Sequence, residues 1–275
     1  MGTPSEIRFG CQFYTWQMSG DKYRGKLDHI TGVVKESGFT GIEPETGMLG
    51  SYYDPIRMKE LLARQGLALG GLTLVCDWRQ PAETGGEQQA AADALAFLGH
   101  FPGTLLVLCQ MPGNDREHLR QRQENALRCI EAVTSRAAAQ GISCAFHPNS
   151  PPGSVFRTGD DYKFLLDELA RRQVGFAPDS GHILKGGMDV YVLFESAAAI
   201  IRHVHFKDID AHHAWVGMGN GVTDFPRIVR ILGTHGYRGW FMVEEESVAA
   251  EADPDTATRQ NGEYIKTILK GETKK

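Results

Sequence analysis

The sequence has no uninterrupted apolar stretch near the roughly 18 residues a membrane span requires, so a transmembrane helix is not expected. It has no surplus of positive charge either: 29 Lys and Arg stand against 34 Asp and Glu, for a net charge of -5. A protein that grips a phosphate backbone needs the opposite balance, so nucleic acid is disfavoured as a partner. The cysteines are few, odd in number and unpaired by motif: Cys11, Cys76, Cys109, Cys129 and Cys144 include no Cys-x-x-Cys. Four of them sit inside apolar runs, as buried reduced thiols do. There is no Gly-x-Ser-x-Gly, and no cysteine falls at an expected strand end beside a histidine, which removes serine and cysteine hydrolase chemistry. Short repeats, low-complexity stretches and Gly-, Pro- or Ser-rich linkers are also missing, so residues 1–275 are expected to form one domain. The start, Met1-Gly2-Thr3-Pro4-Ser5-Glu6, lacks a signal-peptide apolar region and the Ser or Thr that myristoylation wants at position 6; the expected address is the cytoplasm.

What is present is an alternation of short β-type runs with longer stretches of helical period. The first unit is a strand at Ile7–Phe13 with a helix at Leu27–Ser37. The second is Thr40–Glu43 with Asp54–Gln65, where Ile56, Leu61 and Leu62 supply the apolar stripe. Leu67–Val75 with Gln88–Phe101 and Thr104–Gln110 with Arg116–Gln140 follow. Then come Ile142–His147 with Asp160–Arg171, Val174–Pro178 with Val190–Ile200, Arg202–Lys207 with Phe225–His235, and Trp240–Glu244 with Thr256–Lys270. Eight βα units with right-handed crossovers close most naturally into a single (β/α)8 TIM barrel, an α/β fold routinely of this length. A doubly wound open sheet is the alternative, but its phosphate fingerprint is absent. Gly217-Met218-Gly219-Asn220-Gly221 precedes a helix without following a strand and reads as a turn capped by Asp224.

In such a barrel catalytic groups project from the C-terminal strand ends, and the residues there are Glu43, His147, Asp179, His205 with Lys207, and Glu244. Alternation sharpens the pattern. Val204 and Phe206 fall on one side, fit to pack on helices, with His203, His205 and Lys207 on the other; Ser143, Ala145 and His147 face in, as do Gly175, Ala177 and Asp179. Two imidazoles and two carboxylates converging from neighbouring strands suit a divalent metal such as Mn²⁺, Co²⁺ or Zn²⁺, with positions left open for substrate. A lone His or Asp would merely satisfy a local hydrogen bond, but four in register at successive strand ends favour the metal. Parity leaves the choice among Glu244, Glu245 and Glu246 open, because both faces of Trp240–Val243 are apolar.

Pro178-Asp179-Ser180-Gly181-His182, Gly186-Gly187-Met188-Asp189 and His203-Val204-His205-Phe206-Lys207-Asp208 resemble the signature of the xylose isomerase-like (sugar phosphate isomerase/epimerase) TIM-barrel superfamily. The resemblance continues through the Gly-rich turn from Gly217 to Phe225 and through Gly236-Tyr237-Arg238-Gly239-Trp240 to Val243-Glu244. In the N-terminal half it is carried only by Gly41-Ile42-Glu43. It implies that Asp179, His205 and Glu244 take three metal-ligand slots. The fourth slot is usually Glu in the epimerases, whereas His147-Pro148-Asn149 here resembles the inosose dehydratase-like branch. Epimerases of this kind use two metal-bound glutamates on opposite faces of the substrate, and with His147 one of that pair is missing.

The resemblance therefore implies a lyase that acts on a sugar or cyclic keto-polyol through a metal-stabilised enediolate, holding one divalent metal, Mn²⁺ or Co²⁺ in preference to Zn²⁺. The alternatives are an isomerase or epimerase of the same superfamily and, from another class, a sugar-binding barrel without turnover. An abasic-site endonuclease of this fold would need more His and acidic ligands and a basic groove. Glu244, Lys207 and His182 are the candidate acid/base groups, although Lys207 could instead be a surface cation or a partner of Asp208. Glu43, Asn149, Arg157 and His182 are candidates for substrate contact, with a rim salt bridge the competing role for Glu43 and Glu45. Tyr14, Trp16 and Trp78 could stack on a sugar ring or simply pack. Barrels resembling this one are often dimers or tetramers, so a homo-oligomer is the default expectation.

Overall fold

A computed structural model describes residues 7–269. Residues 1–6, on which the expectation of no leader rests, and Lys270, placed in the last helix, lie outside the described residues. The chain runs β1 (Arg8–Gln12), α1 (Tyr14–Gln17), α2 (Leu27–Glu36), β2 (Gly41–Glu43), α3 (Pro55–Gln65), β3 (Ala68–Leu69), β4 (Gly71–Cys76) and α4 (Gly85–Leu98). It continues with β5 (Leu105–Gln110), α5 (Leu119–Ala138), β6 (Cys144–His147), α6 (Gly159–Arg171), β7 (Gly175–Phe176), α7 (Ser180–Lys185) and α8 (Val190–Ala197). Last come β8 (Val204–Phe206), β9 (Asp208–Ile209), β10 (Trp215–Val216), α9 (Phe225–Thr234), β11 (Trp240–Val243), α10 (Val248–Ala252) and α11 (Pro254–Leu269). No helix among the described residues is long and apolar enough to cross a membrane.

The chain divides into two compact units. The first unit comprises the chain up to Gly70 and again from Val204, with a parallel sheet in the order β3-β2-β1-β11-β8. Its register brings the strand ends level: Gln12 lies opposite Glu43, and Val243 lies opposite both Cys11 and Phe206. Glu43, Glu244 and Lys207 therefore leave β2, β11 and β8 at one height. On one face Phe206 packs on Phe9, Phe241 and the α9 residue Phe225, as the alternation of β8 predicts. On the other, Met242 fills space that only glycine leaves open, since a Cβ at Gly70 would stand 2.3 Å from Met242 Cε and one at Gly10 2.4 Å from its Sδ.

The second unit, Gly71–His203, holds the parallel sheet β4-β5-β6-β7. Leu105, Val107, Ala145 and Ala177 form a buried cluster on one sheet face, so Ala145 and Ala177 point where the alternation places them. Side chains start the helices. Thr84 and Glu87 close a capping box on α4, Thr158 and Asp161 close one on α6, and Asp179 and Asp189 cap α7 and α8.

Three local expectations are corrected. The single strand at Leu67–Val75 is two strands, β3 and β4, interrupted at Gly70, where Met242 leaves no room for a side chain. Ile56 is 69% exposed, and the buried stripe of α3 is Met58, Leu61 and Leu62. α5 begins at Leu119 rather than Arg116, because His118 takes a left-handed backbone with φ 50°.

Candidate active site

In the second unit hydrogen bonds to backbone and hydroxyl groups tie the site residues to the frame. His147 is the last residue of β6, and its Nδ1 lies 3.2 Å from the Ala177 carbonyl oxygen. A carbonyl only accepts, so Nδ1 carries the proton and the lone pair falls on Nε2, the form a metal ligand takes. Asp179 is fully buried, and its Oδ1 accepts the His182 backbone N–H at 2.8 Å. The His182 ring is held at its other end, with Nδ1 2.7 Å from Ser150 Oγ. His147, Asp179 and His182 each offer a ligand atom within 4.8 Å of the others. Imidazole nitrogen with carboxylate oxygen, all buried, is a donor set that fits a divalent transition metal.

The loop after β6 is tied to the same frame. Asn149 Nδ2 donates to the Gln110 carbonyl at 2.7 Å, and Ser154 Oγ donates to Asn149 Oδ1. Arg157 Nε donates to the Ser150 carbonyl at 2.8 Å, and its backbone N–H donates to Asp161 at 3.0 Å. Burial works against the charge on Asp161, but the N–H groups of Thr158 and Arg157, the Thr158 hydroxyl and the Arg116 guanidinium hold its carboxyl below the usual aspartate range.

In the first unit charges hold the site together. His205 Nε2 lies 2.9 Å from Glu43 Oε1, and its Nδ1 lies 3.3 Å from Glu244 Oε2. Burial alone would depress the imidazole, yet Glu43 and Glu244 raise it to about 10. Two buried carboxylates that keep a proton there so firmly make a field suited to a cation. Lys207 Nζ donates to Glu244 Oε1 at 2.8 Å and to Glu246, and it stands 5.2 Å from the centre of the Trp215 ring. Lys207 is buried rather than a surface cation, and it pairs with Glu244 and Glu246, while the Asp208 carboxylate accepts the N–H groups of Gly219, Gly221 and Thr223. The Gly-rich segment is a turn wrapped on Asp208, and Asp224 caps α9, as expected; but it does follow a strand, since β10 ends at Val216, a two-residue pairing with β9 too short to show as a period. Glu245 turns the other way, to Ser247 and to Asn261 at 2.7 Å. This leaves Glu244 as the member of the Glu run beside His205.

Several participants had weak sequence signals. Glu246 meets the same Lys207 ammonium as Glu244, two residues before it, a spacing that could have exposed it. Ser150, Gln17 and Trp215 carried none, since each is defined by a partner distant along the chain. Trp16 and Trp78 are fully buried and pack, Trp16 Nε1 donating to Asp255 at 2.8 Å, whereas Tyr14 is exposed. Burial, with the charge of Glu244, pushes the Cys11 thiol far above its ordinary range, as an inert structural cysteine requires.

A family model described as xylose isomerase-like TIM barrel matches residues 32–268. The rhizopine catabolism protein MocC of Rhizobium meliloti is 31% identical over 94% of this chain and 87% of its own length. An inosose dehydratase of Geobacillus thermodenitrificans (strain NG80-2) is 24% identical, over 84% of this chain and 85% of its own. The IolI protein, whose crystal structure contains a zinc atom, superposes with a TM-score of 0.77 at 14% identity, covering 98% of this chain and all of that one. The α/β TIM-barrel fold expected from the alternating units is borne out by these matches.

Proposed function

The chain belongs to the xylose isomerase-like TIM-barrel family, and on that premise we propose that it is a metal-dependent dehydratase of a cyclic keto-polyol, with His147, Asp179, His205 and Glu244 as ligands of one divalent ion, Mn²⁺ or Co²⁺ in preference to Zn²⁺. Relatives named as inosose dehydratases support the substrate class. The observation that carries the reading is His147, an imidazole with its tautomer set by the Ala177 carbonyl, where the epimerases resembling this chain carry glutamate. A site so built lacks the second metal-bound glutamate that a two-base epimerisation uses, which favours elimination.

When bound, the metal supplies Lewis acidity that polarises the substrate carbonyl and acidifies the neighbouring C–H. Glu244 accepts the α-proton, and Lys207, an ammonium between Glu244 and Glu246, compensates the carboxylate charge around it. His182, positioned by Ser150 and Asp179, meets a substrate hydroxyl. Glu43, Asn149 and Arg157 contribute the remaining substrate contacts, the last two from side chains already anchored on backbone carbonyls.

The test is elemental analysis of the purified protein and of His205→Ala, followed by incubation with an inosose in deuterated water. About one equivalent of Mn, Co or Zn, lost in the variant, with water loss from the substrate, is the expected result. Deuterium entering the substrate or its epimer without water loss would identify an epimerase instead. No metal in either protein, even after Mn²⁺ or Co²⁺ is added, would leave a sugar-binding barrel.

A further inference from the structure

We propose that Glu45, positioned by Gln17, is the general acid that delivers a proton to the departing hydroxyl; the proposal rests on the dehydratase reading above and adds to it the second proton transfer. Elimination of water needs two proton movements. A base takes the α-proton, and the β-oxygen must be protonated to leave, because hydroxide is a poor leaving group. The residues nearest Glu244 cannot readily do the second, being committed to ion pairs: His205 lies between Glu43 and Glu244, and Lys207 between Glu244 and Glu246.

Glu45 stands apart from those pairs. It lies two residues beyond the end of β2, its backbone is extended with φ -78° and ψ 150°, and alternation sets it on the same side as Glu43. Its Oε2 accepts a hydrogen bond from the Gln17 amide at 2.8 Å. An amide fixes the carboxyl without supplying a positive charge that would hold it ionised. The charged groups that act on it are Glu43 from β2 and Glu244 from the end of β11, both negative, and Tyr14 of α1 lies in the same field. Burial first, and those carboxylates after it, raise the Glu45 carboxyl to about 7 against the pull of Gln17. A carboxylic acid still partly protonated at neutral pH, next to ionised carboxylates, is the division of labour that acid–base catalysis by paired carboxyl groups requires.

The step balances without a co-reactant. The α C–H bond breaks and its electron pair becomes the new C=C bond. The β C–O bond breaks with its pair on oxygen, and that oxygen takes the Glu45 proton and leaves as water. Glu45, now a carboxylate, recovers a proton from solvent, and the base returns its own to solvent; nothing is oxidised or reduced.

The experiment uses metal-loaded full-length enzyme, an inosose in deuterated water, and Glu45→Gln, which keeps the shape and the contact with Gln17 but has no acidic proton. Metal content and thermal unfolding confirm that the variant is folded and loaded. Water loss should fall about 100-fold or more, while deuterium continues to enter the α-position at a rate within about threefold of the parent. A substrate with fluoride in place of the departing hydroxyl, which leaves without protonation, should recover most of the lost rate. Water loss at the parent rate overturns the assignment, as does an equal fall of exchange and elimination, which would mark a merely structural residue. Parent enzyme that exchanges deuterium or epimerises without losing water overturns the dehydratase reading and this assignment with it.

Discussion

The two units differ in the partners that position their strand-end residues. In the second unit His147, Asn149, His182 and Arg157 are pinned by hydrogen bonds to backbone carbonyls, a hydroxyl and a helix cap. In the first, His205 and Lys207 are set among Glu43, Glu244 and Glu246 by charge. Their cores differ as well: one packs Phe9, Phe206, Phe225 and Phe241, the other gathers Leu105, Val107, Ala145 and Ala177. Hydrogen bonds to backbone groups tie a side chain to the covalent frame, whereas a charged cluster stays in place only while every member keeps its partner. The largest effect should therefore come from cutting the charged side. Lys207→Met fills similar volume but leaves Glu244 and Glu246 without their ammonium. Removing one partner of a buried ion pair costs about 3–5 kcal/mol, so the metal-free variant should lose about that much unfolding free energy in urea. A loss below about 1 kcal/mol would mean that charge is not what holds this half.

That contrast was only half legible in the sequence. His147, Asp179, His205 and Glu43 announce themselves, because a polar residue at the end of an apolar strand breaks a visible pattern. The parity of Phe206, Ala145 and Ala177 was readable for the same reason. Partnerships were not readable. Lys207 and Asp208 are neighbours in the chain and look like a pair, yet opposite strand faces send Lys207 to Glu244 and Asp208 to the Gly219–Thr223 turn. The crowding at Gly70 was hidden because it comes from Met242 and Trp240, residues far away in sequence. Glu45 and Gln17, 28 positions apart, meet only once β2 and α1 are placed.

The second prediction sets the pH response of one unit against that of the other. The Glu45 carboxyl is raised in the fold, so the stability it contributes is full below its unfolded value near 4.5 and is lost as pH rises through about 7. Glu45 should thus weaken the metal-free protein between about pH 5 and pH 7 by about 2 kcal/mol, a loss that Glu45→Gln removes, while His205, raised to about 10, adds a loss above its unfolded value near 6.5 that the variant keeps. Asp161 in the second unit is displaced the other way. Its contribution is present above its unfolded value of 3.8 and disappears as pH falls through its lower folded value. Asp161→Asn should therefore be less stable than the parent at pH 7, by about 1–3 kcal/mol, with the gap closing toward pH 3. Thermal unfolding across pH 3–8 for the two variants checks both signs; parallel curves for either variant and the parent would remove that group as the source.

The smallest effect should separate the strand-end cluster from the general acidity of the first unit. Ile56 lies on the solvent side of α3, 69% exposed, while Met58 and Leu61 on the same helix are fully buried. Ile56→Lys adds a positive charge to this unit without touching Glu43, Glu45, Glu244 or Glu246. An exposed helical position away from caps and buried partners changes stability by no more than about 0.5 kcal/mol, and lysine is as good a helix former as the residue it replaces. If the weakening between about pH 5 and pH 7 comes from Glu45 in its desolvated setting, the variant keeps the parent slope there, because a charge at a well-exposed position is screened by water and salt. If the slope flattens with Ile56→Lys as it does with Glu45→Gln, the weakening belongs to the net charge of the unit, and the contrast between pinned and charged halves becomes one of surface composition.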